Sequence, residues 1–113
     1  MVPKYTLPIP PSVNKIWRSN FKSGKVYKTE EATNYPREIA KVVPINPTTK
    51  RVALVAHFYF ERANRDIDSG LKTLLDSLQK IAYLNDSQVD SLEVLKLKDK
   101  NNPRVELWIT ELN

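Results

Sequence analysis

The stretch "NRDIDSGLKTLLDSLQ", residues 64–79, sets Asp66 and Asp68 two residues apart behind Arg65 and places Lys72 four residues after the second aspartate. In an extended segment residues two apart point to the same side, so the two carboxylates can converge on one ion. Lys72 then stands one helical turn beyond Asp68 and shares its face. Two oxygen donors and an ammonium suit Mg²⁺, a hard cation that keeps several waters and needs only one or two carboxylates plus substrate phosphate oxygens. A cation there lowers the pKa of a bound water and polarises a phosphate, and the lysine stabilises developing charge or orients the attacking water. Spacing alone favours a plainer reading, in which the two acids complement the positive end of a helix.

The surrounding elements decide whether these groups can meet. "RVALVAHFYFE", residues 51–61, is apolar on both faces and suits an interior strand that delivers the chain to the acids. Beyond them Leu71, Leu74, Leu75, Leu78, Ile81 and Ala82 recur at helical spacing, with Lys72, Asp76 and Gln79 facing out. The pattern predicts a helix from Asp68 to Ala82. Upstream, "KYTLPIP" reads as a first strand ended by prolines. "SVNKIWRSNFKSGKVYK" reads as a loop and loose hairpin turning at Ser23 and Gly24. A helix capped by Thr29 runs toward Val43, kinked at Pro36 or starting near Tyr35. "SLEVLKLK" and "RVELWITEL", joined by "DKNNP", read as a closing antiparallel hairpin. The sum is a single α+β domain over residues 1–113, a mixed β-sheet of about four to five strands packed with two helices.

Composition narrows the function classes. The 113 residues carry a formal charge of +5 and no cysteine, which excludes disulfides and thiolate metal sites and points to a reducing, cytoplasmic setting. No apolar run reaches membrane-spanning length and the opening "MVPKYTLPIPP" lacks a signal-peptide core, so no membrane partner is expected. With two glycines there is no phosphate-cradling glycine loop, hence no nucleotide cofactor. Residues 1–65 hold twelve Lys/Arg against four Asp/Glu, and residues 66–113 hold six against nine. The first half therefore reads as a surface for a polyanion and the second as the home of the acids.

The segment "RDIDSGLKTLLDSLQKIAYLNDSQV" resembles the RusA family of Holliday-junction resolvases. There an arginine-rich strand exit leads into D-x-D-N, a lysine follows four residues after the second aspartate, and an amphipathic helix ends before an apolar-D-D-x-Q-V segment. "LPIPPSVNKIWR" is similar to the family's opening, and "RVELWITEL" to its last strand. The resemblance spans nearly the whole chain and turns the balance from capping acids to a metal site. It implies a Mg²⁺-dependent endodeoxyribonuclease, with Mn²⁺ able to substitute, acting on branched DNA as a homodimer. Asp66, Asp68 and Asp86 match its metal-binding aspartates and Lys72 its catalytic lysine. Ser69 stands where the family has asparagine, and Asn85 replaces the first acid of the later pair.

A helix from Asp68 to Ala82 is about 21 Å long at ~1.5 Å per residue. The four residues on to Asp86 recover at most ~14 Å. Asp86 therefore reaches its own chain's pair only if the connector doubles straight back or the helix is shorter; otherwise it approaches the partner's pair, and in either case the sites are expected near the dimer axis. For DNA contact the candidates are Asn14, Lys15, Arg18, Lys22, Lys25 and Lys28 around the hairpin, and Arg62 and Arg65 beside the acids, because backbone phosphates dominate DNA affinity. Trp17 and Phe21 read as hairpin packing, and His57, Tyr59 and Trp108 as sheet residues. Two alternatives stand beside the resolvase: a nuclease for other branched DNA such as forks and flaps, and a non-catalytic branched-DNA-binding module.

Overall fold

The computed structural model describes residues 2–11, 17–19, 26–28, 30–68 and 70–113, with the backbone alone for 17–19, 26–28 and 30–32. β1 (Lys4–Leu7) is followed by the short strands β2 (Trp17–Ser19) and β3 (Val26–Lys28), then α1 (Glu30–Ala40), β4 (Val52–Phe60), α2 (Leu71–Ser77), β5 (Val89–Lys98) and β6 (Arg104–Glu111). β2 and β3 pair antiparallel as a separate ribbon, as expected. The expected turn at Ser23 and Gly24 and the expected cap Thr29 lie outside the described residues.

The main sheet is mixed and runs β1-β6-β4-β5. β4 is the interior strand, parallel to β5 and antiparallel to β6. The expected β5–β6 hairpin is therefore corrected: these strands are separated by β4. The cause lies in the faces. Alternate side chains of β4, from Val52 through Leu54, Ala56 and Phe58 to Phe60, are buried, and those between are half-buried, so β4 gains most from a neighbour on each side. β5 is largely exposed and tolerates the sheet edge. The segment after β5 crosses the end of β4, where the Asp99 amide donates to the Phe60 carbonyl at 2.8 Å. The Asp99 carboxylate then accepts from the amides of Asn101 and Asn102 and from Arg104.

Both helices pack on one face of the sheet. Tyr35 and Ile39 from α1, and Leu74 and Leu78 from α2 and its C-cap, share one core with Phe58, Phe60, Val105 and Leu107. Each such buried side chain contributes roughly 1.5–3 kcal/mol. α1 continues through Pro36. The Tyr35 hydroxyl donates to the Pro8 carbonyl at 2.7 Å, which ties α1 to the segment after β1; burial raises its pKa.

α2 is shorter than its apolar periodicity predicts, Leu71–Ser77 rather than 68–82. Two tertiary demands trim it. At its start Gly70 adopts φ +86, and a Cβ there would meet Pro10 Cγ at 2.8 Å. At its end Tyr83 is fully buried and donates its hydroxyl to the Leu75 carbonyl, so the chain must turn back. Lys80 takes φ 69 in that turn and donates its amide to the Tyr83 carbonyl. Ile81 and Ala82 keep apolar roles outside any helix, and their carbonyls accept from the amides of Asn46 and Thr48.

Candidate functional site

The acids lie on the loop of residues 61–70, which leaves the C-terminal end of β4 and folds back over the helix-bearing face of the sheet. Two cations hold it. The Arg65 guanidinium sits 4.5 Å from the centroid of the Phe60 ring, and its partial burial lowers its pKa. Lys96 stands opposite Phe58 in the parallel β4–β5 register, and its Nζ donates to the carbonyls of Ala63 at 2.9 Å and Arg65 at 3.0 Å. Asp66 and Asp68 follow directly and both are exposed. No described residue engages either carboxylate. The Asp68 carbonyl accepts from the Leu71 amide, closing the turn into α2.

Lys72 is exposed on the first turn of α2 and is paired with Asp76, one turn further on. Asp86 opens a 3-10 turn, Asp86–Gln88, and its amide donates to the Gln79 side chain at 3.2 Å. Burial raises the Tyr83 pKa, and the nearby negative charges of Asp86 and Asp76 raise it further. Asp86 is thus placed beside the later part of α2, whereas Asp66 and Asp68 precede its first turn. Among the described residues no three His, Cys, Asp or Glu side chains gather into a metal-holding group.

Asn85 serves the local backbone. Its side chain accepts from the Ser87 amide, and the Gln88 side chain accepts from the Asn85 amide, a capping box. Gln88, which sequence reasoning passed over, also donates to the carbonyls of Thr48 and Lys50 at 2.8 Å each. The "S/T/D/N-x-x-E/Q" spacing of residues 85–88 was the available signal.

Arg62 is exposed and lines a cleft of about 410 Å³ with Glu61, Ala63, Asn64, Lys98 and Lys100. Arg18 and Lys28 lie on the β2–β3 ribbon, described by backbone alone, and Asn14, Lys15, Lys22 and Lys25 lie outside the described residues, as does Ser69. His57 is half-buried with its ring edge-on to Trp108, and Tyr59 lies under the Arg104 guanidinium, the sheet roles expected of them.

A mixed sheet thus carries two exposed aspartates that no described residue engages, on a loop held by Lys96 and Arg65 and bordering a cleft lined by Arg62, Lys98 and Lys100. Comparison with known sequences makes the class specific. The model of the family described as Endodeoxyribonuclease RusA matches residues 8–110. The chain belongs to that family. It is 31% identical to the crossover junction endodeoxyribonuclease RusA of Escherichia coli (strain K12), over 95% of this chain and 92% of the relative. The enzyme of that name from Enterobacteria phage 82 matches to the same extent. That of Enterobacteria phage HK97 is 29% identical over 96% of this chain and 94% of its own length.

Proposed function

We propose that the protein is a Mg²⁺-dependent endodeoxyribonuclease that resolves Holliday junctions by paired symmetric nicks in DNA recombination and repair. The observation that carries this reading is the Asp66–Asp68 pair, exposed and unengaged by any described residue, on a loop fixed by Lys96 and Arg65 in a member of the RusA family. The donors fit the ion: two carboxylates with free oxygens and open solvent around them suit a cation that retains waters and takes the rest of its shell from substrate phosphate. Mn²⁺, which prefers similar oxygen ligands, can substitute. When bound, the ion supplies Lewis-acid activation of a phosphodiester and of water.

The chain's own residues do the remainder. Asp66 and Asp68 would hold the ion on the loop that follows β4. Lys72 presents an ammonium to the phosphate, and Arg65, over the Phe60 ring, keeps positive charge beside the acids so that a polyanion can approach. The N-terminal ribbon and Arg62 hold the arms of the junction.

A four-way junction has two symmetric strands to cut, which suits a homodimer with two sites near its axis. β5 supports this arrangement. It is an edge strand of ten residues, with Leu92 and Leu95 41% and 46% exposed, and a long open edge invites a second copy.

The test is a nicking assay on a labelled four-way junction, with linear duplex, fork and flap controls, in Mg²⁺ or EDTA, using wild type and Asp68→Asn. Symmetric nicks confined to the junction, dependent on Mg²⁺ and lost in the variant, are expected. The variant should still bind junctions, since it loses a negative charge near DNA. Cutting of forks or flaps in preference would move the substrate to those structures. Tight binding without cutting in Mg²⁺ or Mn²⁺ would leave a branched-DNA-binding module.

A further inference from the structure

We infer that Arg62, Lys98 and Lys100 form a second phosphate site, a cleft that takes the DNA backbone away from the phosphate being cut. The inference rests on the DNA-binding part of the proposed function and not on cleavage. It assigns a role to two lysines from the half of the chain whose sequence reads as acidic.

The argument begins with topology. β4 and β5 run parallel, so their C-terminal ends lie at the same edge of the sheet, with Phe60 beside Lys98. The chain leaving β4 places Arg62 there, and the chain leaving β5 places Lys98 and Lys100 there. A single strand register thus builds the site from two distant segments. The cleft of about 410 Å³ between them has room for a phosphodiester group, and its single acid among the lining residues is Glu61.

The second step is what the cations do otherwise. Lys4 is paired with Glu106, Lys41 with Glu38, Arg51 with Asp90, Lys72 with Asp76, and Arg104 with Asp99 and Glu106. Lys96 is taken up by two carbonyls, and Arg65 by the Phe60 ring. Arg62, Lys98 and Lys100 are exposed and engage no described residue. Gathering three uncommitted cations into one concavity is repulsive unless an anion joins them. Lys96 holds the opposite wall by gripping Ala63, one of the lining residues. The loop side of the cleft, Glu61 to Asn64, belongs to the loop that carries the aspartates, with Arg62 four residues before Asp66, and the proposal has one DNA strand run from the cleft toward the acids.

The experiment measures binding alone, in the Asp68→Asn background and in EDTA, so that loss of cleavage does not enter. Affinity for a four-way junction is read across a salt series for Lys98→Ala/Lys100→Ala. A charge-matched control, Lys41→Ala/Lys50→Ala, removes two exposed lysines elsewhere. The cleft variant is expected to weaken binding about tenfold or more at low salt and to flatten the slope of log K against log salt by about 0.9 for each phosphate no longer neutralised. The control should change affinity less than about threefold with its slope intact. Equal weakening by the two double variants would overturn the inference in favour of diffuse charge, as would an unchanged slope in the cleft variant. If the wild type cuts no branched DNA in Mg²⁺ or Mn²⁺ while the cleft variant shows the expected difference in binding, the nuclease reading falls and the cleft stands.

Discussion

The Lys72 ammonium lies 3.4 Å from each oxygen of the Asp76 carboxylate, one helical turn along α2. The lysine that the family resemblance assigns to the phosphate is thus held, without DNA, by an acid of its own helix. The side chains are 73% and 45% exposed, so the pair is weak and a phosphate can replace it. Asp76→Asn should change unfolding stability by less than about 0.5 kcal/mol. It should tighten junction binding a few fold at low salt, an effect that fades by ~0.5 M. Lys72→Ala, by contrast, should lower single-turnover nicking by about 10²-fold or more with little change in stability. Filter binding and single-turnover kinetics on the three proteins check this.

Lys96 controls the loop rather than the chemistry. Its Nζ spans the Ala63 and Arg65 carbonyls directly upstream of Asp66. In Lys96→Met the carbonyls turn to water and the loop loses its grip on the sheet. Both hydrogen bonds are exposed, so global stability should fall by no more than about 1 kcal/mol. Hydrogen exchange of residues 61–68 should nonetheless quicken, Mg²⁺ affinity by calorimetry should drop, and nicking should fall roughly 10- to 100-fold, because an Å-scale displacement is enough to cost that much. Lys96→Arg should restore part of each.

Gly70 is the hinge between the acids and α2. At φ +86 a side chain is strained, and any Cβ is driven into Pro10, which is close-packed beneath it. Gly70→Ala should destabilise by about 1–3 kcal/mol. The denaturation midpoint in urea should shift with an unchanged slope.

Much of this organisation was legible in the residues themselves. The two-sided apolar run at 52–60 announced an interior strand, and "RVELWITEL" announced a terminal strand. What local pattern cannot carry is partner choice. "SLEVLKLK" and "RVELWITEL" look like a hairpin because short links usually join neighbours. In the fold both strands instead flank β4. That choice also moved three lysines, Lys96, Lys98 and Lys100, from an acidic half of the sequence to the strand end beside the loop that carries the acids. The length of α2 was hidden for a similar reason: Ile81 and Ala82 keep helical spacing to the leucines, but the carbonyl of Leu75 captures the Tyr83 hydroxyl and the chain turns back.

Acid should loosen the sheet in a defined window. Hydrogen bonds from Arg51 hold the Asp90 carboxyl below its ordinary pKa, and those from Arg104 do the same for Asp99. A folded-state pKa below the unfolded value means stability that is present above the unfolded value, about 4, and lost as pH falls through the folded one. Melting temperature should therefore be flat from pH 7 to about 5 and decline below about 4. Asp90→Asn and Asp99→Asn should each soften that decline. A melting series from pH 7 to about 2.5 reads it directly.

Asp86 stands beside the later part of α2, and the described residues of one protomer form no three-acid group. In a homodimer its carboxylate can complete the partner's pair, and mixed dimers separate the two arrangements. Combine an Asp68→Asn subunit with an Asp86→Asn subunit, purified by distinct tags. If each site is built within one subunit, both sites carry a lesion and the mixed dimer cuts nothing. If Asp86 crosses the axis, both lesions fall in one site and the other is intact. The crossing arrangement predicts nicks in one strand of the junction at about half the wild-type total, with paired nicks lost, whereas each homodimeric variant stays inactive. Denaturing gels of a junction labelled on both candidate strands decide between one nick and none.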